Sequence, residues 1–229
     1  MRKIAVVMES WVRYFTYAWP SGMLQRIRET DEDINLYIFN CSANWSSNPD
    51  YNRGEYNIYN LPNFTDYDGV VLDLNNTEDD DVRKEVVRRA RESGVPTVSI
   101  NNCYDGLYYV GIDNHSAMGE MINHLYDKHG CRSFWFVMGP ENNYENERRT
   151  QALIDFVKDK NISSDDYRLC YGDFDFNSGV ISFLNLYSET GKIPDAIICA
   201  NDNIAVGVLS EAEKKGYTAP DDLDRKSVV

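Results

Sequence analysis

The sequence predicts an α/β protein of two similar lobes, each a parallel β-sheet flanked by helices. Three observations predict it. Short apolar runs alternate with polar loops and segments of helical period along most of the 229 residues, the pattern that stacked β-α units produce. The apolar runs are continuous rather than alternating, as strands covered on both faces require. The third observation is an internal echo: Tyr67–Asn76 (YDGVVLDLNN) resembles Pro194–Asn203 (PDAIICANDN), each a turn, a buried strand and an amide-rich strand end. A repeat of this kind implies two lobes, here divided as 1–111 and 112–229, with the crossover at Tyr109–Asp113.

In the first lobe the strands are expected at Ile4–Met8, Leu36–Asn40, Gly69–Leu74 and Thr97–Ile100. The first helix falls within Phe15–Thr30, where Pro20 and Gly22 make it either begin near Pro20 or kink there. Asn44–Tyr67, rich in Asn and Tyr and poor in aliphatics, reads as a surface excursion. The run Glu78–Asp81 precedes a helix over Val82–Ser93 that Gly94 and Pro96 close, so its carboxylates lie at the positive end of the helix dipole and serve as a cap.

In the second lobe the strands are Ser133–Met138, Tyr167–Tyr171 and Ala196–Cys199. Ala117, Met118, Met121, Ile122 and Leu125 recur at three and four residues and mark a one-sided helix stopping at Gly130. Ala152, Leu153, Phe156 and Val157 mark another, and Ile204, Val208, Leu209 and Ala212 a third before Gly216.

Composition excludes several function classes. Hydrophobic residues are 42%, charged residues 26%, with 14 Gly and 7 Pro, which is a globular rather than a low-complexity profile. The 23 Lys and Arg against 37 Asp and Glu give a formal charge of −14, a surface that repels phosphate backbones and anionic lipid. No direct nucleic-acid binding and no membrane association are expected, since no apolar run approaches the ~20 residues that cross a bilayer. Glu9, Arg13 and Pro20 interrupt the only candidate leader, so a cytoplasmic location is expected. Five cysteines without a CxxC pair indicate buried thiols rather than a disulfide frame or a zinc site.

Catalytic and cofactor signatures are missing from the sequence. Neither GxGxxG nor GxxxxGK[ST] occurs, nor do GxSxG and HExxH. The histidines His115, His124 and His129 lack a metal-like Cys/carboxylate set, and His124 reads as a packed core residue. No cofactor, no metal and no catalytic residue is therefore expected. Binding chemistry is richer. Trp11, Tyr14, Phe15, Tyr17 and Trp19 crowd the segment after the first strand, beside Glu9, Ser10 and Arg13. Flat rings with a few directed polar groups suit a sugar or a nucleobase, and packing of the first helix is the competing use of the same rings. Ligands of open parallel sheets sit beyond the carboxyl ends of the strands, which places both Asn-rich strand ends at a shared cleft.

Gly111-Ile112-Asp113-Asn114, His124-Leu125, Gly130, Phe136-Val137-Met138-Gly139-Pro140, Arg149 and Cys199–Gly207 (CANDNIAVG) occur in order. That series, spread over nearly the whole chain, resembles the effector-binding core of the LacI/GalR family, related to periplasmic sugar-binding proteins. The resemblance implies two Rossmann-like lobes of the type I periplasmic-binding-protein kind, a small-molecule effector between them, and lobe closure as the signal. It also implies ligand-binding roles for Arg149, the family's R-x-x-G-F arginine with Ala152-Leu153 replacing Gly-Phe, and for Asn201. Asp113 matches the turn after the crossover, and Trp11 and Phe15, with Glu9 beside them, occupy the segment that lines the pocket from the first lobe.

Two departures from the family pattern shape the expected role. The family's N-terminal helix-turn-helix does not precede the first strand here, as in sensor lobes linked to a diguanylate cyclase output. The chain also ends at Val229, where family members continue, so the second lobe is expected to be incomplete at its C-terminus. The leading expectation is a sugar-like or nucleoside-like ligand sensor in a transcriptional regulator-like or cyclase-linked signalling protein, with a homodimer suggested by analogy. The alternatives are a solute-binding protein of a transport system and, further off, an enzyme using Glu9 and Asp113 as its titratable pair.

Overall fold

The computed structural model describes residues 1–9, 13–43, 48–77 and 79–218, with the side chains of 13–16 outside the description. The chain divides into two compact units, Met1–Ile112 and Asp113–Val229.

The first unit contains β1 (Arg2–Glu9), α1 (Arg13–Thr30), β2 (Ile34–Cys41), α2 (Pro49–Glu55), β3 (Gly69–Asp73), α3 (Asp80–Ser93), β4 (Thr97–Ile100) and β5 (Tyr108–Val110). Its five strands form one parallel sheet in the order β2-β1-β3-β4-β5. Alternation along β1 builds both faces, as the period of two demands. Ala5 and Val7 join Val86, Val87 and Ala90 of α3 on one side, while Val6 and Met8 meet Trp19 and Met23 of α1 on the other.

Helix α3 ends as its sequence indicates. The Asp79 carboxylate accepts from the Asp81 and Val82 amides at 3.0 and 3.1 Å, and Gly94 closes the helix at φ 68°. Of the two expected arrangements of α1, a start near Pro20 is overturned: the helix starts at Arg13 and contains Pro20. The expected crossover Tyr109–Asp113 contains the boundary between the units, while its first two residues belong to a fifth strand, Tyr108–Val110, that pairs with Val98–Ile100. All three of its residues are exposed, so no burial pattern marks it. The expected surface excursion is also corrected. Within Asn44–Tyr67, Tyr56, Tyr59 and Phe64 are buried against the α3 side of the sheet, and Arg89 donates to the Tyr59 and Pro62 carbonyls at 2.8 and 2.5 Å.

The second unit contains α4 (Asn114–Lys128), β6 (Phe134–Met138), α5 (Tyr144–Asp159), β7 (Tyr167–Tyr171), α6 (Phe176–Thr190), β8 (Ala196–Cys199) and α7 (Asp202–Lys214). Its parallel sheet has the order β7-β6-β8. The central strand β6 is wholly buried. Phe134, Phe136 and Met138 pack with Met118, Ile122, Leu153 and Phe156 of α4 and α5, and Trp135 and Val137 with Phe183, Ile204 and Val208 of α6 and α7. Helices α6 and α7 meet backbone to backbone: a Cβ on Gly179 would lie 2.1 Å from the Ile204 carbonyl oxygen, and one on Gly207 2.1 Å from that of Phe176.

Two further expectations change. His124 is exposed rather than in the core, its Nε2 3.1 Å from His129 Nε2. The cysteines are free but not uniformly buried: Cys41 and Cys131 are, Cys103 is exposed, and Cys170 and Cys199 are intermediate. Burial pushes the Cys41 thiol up to about 12, with the nearby Glu9 carboxylate adding to the shift; that thiol stays protonated at neutral pH. Among the described residues, no helix is long and apolar enough to cross a membrane.

Candidate ligand-binding site

In the second unit the polar groups gather where β6, β7 and β8 end, the position from which open parallel sheets present side chains to ligands. Asn143 caps α5 by accepting from the Asn146 amide at 3.1 Å. Three residues further along the helix, Asn146 is itself buried. It accepts from the Gly139 amide at 2.7 Å and donates to the Gly139 and Pro140 carbonyls at 3.1 and 2.9 Å. Both ends of its amide thus clamp the exit of β6 to α5, and Arg149 follows on the next turn.

Arg149 is half-buried, whereas its neighbour Arg148 is exposed. The Arg149 Nε donates to Asn114 Oδ1 at 2.8 Å and one terminal nitrogen to the Ala200 carbonyl at 2.6 Å. The guanidinium lies 6.0 Å from the centre of the Phe174 ring. Burial lowers its pKa from the usual arginine value, with Glu145 acting in the opposite direction; a group of that basicity remains a cation. Glu145, one helical turn earlier, accepts from Asn114 Nδ2 at 3.4 Å. Asn114 therefore stands between the cation and the carboxylate.

Asn201 caps α7: its Oδ1 accepts from the Ile204 amide at 2.9 Å, and its Nδ2 donates to the Phe174 carbonyl at 2.8 Å. Asn203 Nδ2 reaches the same carbonyl at 3.5 Å. These bonds hold Phe174 at φ 59°, a left-handed conformation that costs a non-glycine residue of order 1 kcal/mol. The ring lies over Gly139, where a Cβ would approach its Cε1 to 2.1 Å. Asp113 is exposed and caps α4 by accepting from the Ser116 amide at 3.1 Å; the Ser116 hydroxyl first, and then that amide, hold its carboxyl below the usual range.

In the first unit the strand ends carry Glu9, Cys41 and Asp73. Glu9 is 4% exposed at the end of β1, and its charge, after burial itself, raises the pKa values of Cys41 and Tyr59. Of the aromatic cluster, Trp19 packs beside Val6, Met8 and Val71 and donates from Nε1 to Asp73 Oδ2 at 2.9 Å. Tyr17 is exposed. Trp11 lies outside the described residues; Phe15 falls in α1, its side chain likewise outside the description.

The second unit therefore brings together Arg149 and Asn201 through Ala200 and Phe174. Its three other members escape sequence reading to different degrees. Asn114 stands beside Asp113 in the family-like turn; Asn146 carries a helical-register signal, three residues before Arg149; Phe174 carries none.

A periplasmic binding protein-like domain family matches residues 122–228. Catabolite control protein A of Staphylococcus xylosus is 28% identical over 201 residues, 87% of this chain and 58% of that protein. The HTH-type transcriptional repressor CytR of Escherichia coli K12 is 31% identical over 114 residues, 50% of this chain and 33% of that protein. The chain thus spans between a third and three fifths of the length of these curated relatives. Among solved structures, the transcription regulator CcpA of Lactococcus lactis superposes with a TM-score of 0.69 at 17% identity, covering 98% of this chain and 77% of that one. A periplasmic solute-binding protein of an ABC transporter from Actinobacillus succinogenes, with bound D-allose, gives 0.68 at 15% identity, covering 94% and 75%.

Proposed function

We infer, from the premise that this chain is a periplasmic-binding-protein-like effector-binding domain of the LacI/GalR type, that it senses a sugar-like or nucleoside-like small molecule and performs no catalysis. The observation that carries the reading is Arg149. A half-buried guanidinium held at a strand end by two neutral acceptors keeps further donors of its planar fork for vicinal hydroxyls or a base edge.

Charge around that group points to an uncharged ligand. Arg149 faces Glu145 through the Asn114 amide, so the cation is offset within one turn of α5 and an anion is not needed to balance it. In this reading Asn201 offers its remaining amide hydrogen to the ligand. Trp11, Phe15 and Glu9 of the first unit stay proposed ligand contacts on the family resemblance. Ligand binding favours a closed arrangement of lobes 1–111 and 112–229. Only a difference in affinity between closed and open states can transmit the signal. The output is a transcription-regulator-like or diguanylate cyclase unit in the cytoplasm. The sensor works as a homodimer, by analogy with the lac repressor, whose operator-bound crystal structure is that of a dimer.

A second reading, a solute-binding protein of a transport system, is favoured by the likeness to the allose-bound transporter component. A thermal-shift panel of neutral hexoses, pentoses and nucleosides, with the matching sugar acids and sugar phosphates, tests the shared binding claim. At least one neutral compound should raise Tm in proportion to its concentration over its Kd, and Glu145→Gln should move the preference toward the acids. A panel in which only acids stabilise the unaltered protein would overturn the charge argument; one in which nothing does would overturn the sensor reading.

A further inference from the structure

The exposed imidazoles at the far end of α4 stand apart from the ligand-binding residues, which cluster at its start. His124 lies just before the last turn of α4 and His129 caps the helix. Their Nε2 atoms are 3.1 Å apart, with ring centres separated by 4.9 Å and planes inclined at 62°. With zinc–imidazole bonds of about 2.0–2.1 Å, that separation subtends about 100° at a metal placed between the two nitrogens. The angle falls between the right angle of square-planar and octahedral sites and the tetrahedral value, so one cation can be held by both rings without moving the backbone.

The surroundings favour positive charge. A helix C-terminus carries the negative end of the macrodipole, and the chain as a whole has a formal charge of −14. Glu120 and Asp127 lie one turn from His124 in helical register, with Lys128 as the opposing cation. Among the described residues no group of three or more His, Cys, Asp or Glu side chains gathers around one point. The protein therefore supplies two imidazoles, and water completes the coordination.

We propose that His124 and His129 form a two-histidine surface site for a divalent transition cation of borderline softness, Zn²⁺, Ni²⁺ or Cu²⁺. Imidazole suits these metals, whereas Mg²⁺ and Ca²⁺ require oxygen ligands. Coordination ties the cap residue to the C-terminal part of α4 and competes with the hydrogen bond between the two rings.

Calorimetric titration of the full chain with Zn²⁺, Ni²⁺ and Mg²⁺ chlorides near pH 7.5 tests the site. Zn²⁺ and Ni²⁺ should bind with a component of one equivalent that EDTA reverses and Mg²⁺ does not reproduce. His124→Gln and His129→Gln should each weaken that component at least tenfold. Melting of the metal-free variants, followed by circular dichroism, separates lost binding from lost folding. The Cu²⁺ complex should show electron-spin hyperfine structure from two imidazole nitrogens, falling to one in either variant. Equal Zn²⁺ and Ni²⁺ binding by the unaltered chain and the double variant, no binding by either, or a single coordinated nitrogen would overturn the proposal.

Discussion

Replacing Arg149 by Ala should weaken binding of the stabilising ligand by roughly 10- to 100-fold while leaving the chain folded. Hydrogen bonds from a charged donor contribute about 1.5–3 kcal/mol, and each 1.4 kcal/mol is a decade in Kd. The substitution also strips the Ala200 carbonyl and Asn114 Oδ1 of their donor, which costs stability as well as affinity. Binding is therefore measured by calorimetry well below the melting temperature, with far-ultraviolet circular dichroism confirming the fold. Arg149→Lys should not restore affinity, because a single ammonium cannot hold two fixed acceptors and still present a planar fork. An Arg149→Ala protein that binds as tightly as the unaltered chain would remove the residue from the site.

The largest expected effect on stability lies at the crossing of α6 and α7. Gly207→Ala places a methyl carbon 2.1 Å from the Phe176 carbonyl oxygen, 3.0 Å from the Val180 nitrogen and 3.1 Å from the Gly179 Cα. All three are backbone atoms, so no rotamer change relieves the overlap and one helix must shift bodily. Overpacking costs about 1–3 kcal/mol, and a rigid backbone contact belongs at the upper end, lowering Tm by about 10 °C. Gly119→Ala in α4 is the control. A Cβ there meets nothing within 4 Å, and replacing a mid-helix glycine should stabilise by roughly 0.5–1 kcal/mol. Equal melting of Gly207→Ala and the unaltered protein would show that the two helices do not pack backbone to backbone.

Legibility in the sequence follows burial. Strands buried on both faces announce themselves through continuous apolar runs: β6 (FWFVM) and β8 (AIIC) begin and end within a residue of the expected positions. The α3 boundaries are equally readable, since Asp79 and Gly94 each satisfy a backbone requirement that few residue types meet. Where burial is achieved by residues that sequence patterns treat as polar, the reading fails. Tyr59 is 1% exposed within an Asn- and Tyr-rich stretch, because a long ring can cover a core as well as an aliphatic chain. Pro20 does not stop α1.

The candidate site is legible only in outline. A resemblance points to Arg149 and Asn201, but the groups that orient them are set by tertiary structure. Phe174 reaches the site through a left-handed turn, Ala200 contributes only its carbonyl, and Glu145 acts through Asn114. Both ends of the Asn201 amide already serve the backbone, a structural duty invisible in its residue type. Conversely, Trp19 reads as part of a binding cluster, and the structure commits its indole to Asp73.

The central claim is that a small uncharged molecule binds against Arg149, Asn114 and Asn201. The most direct measurement is a nitrogen-15 NMR titration that follows the Arg149 Nε–H and the two side-chain amides with the first neutral compound that raises Tm. These resonances should shift together and saturate at the calorimetric Kd. Saturable binding that leaves all three unmoved would contradict the account.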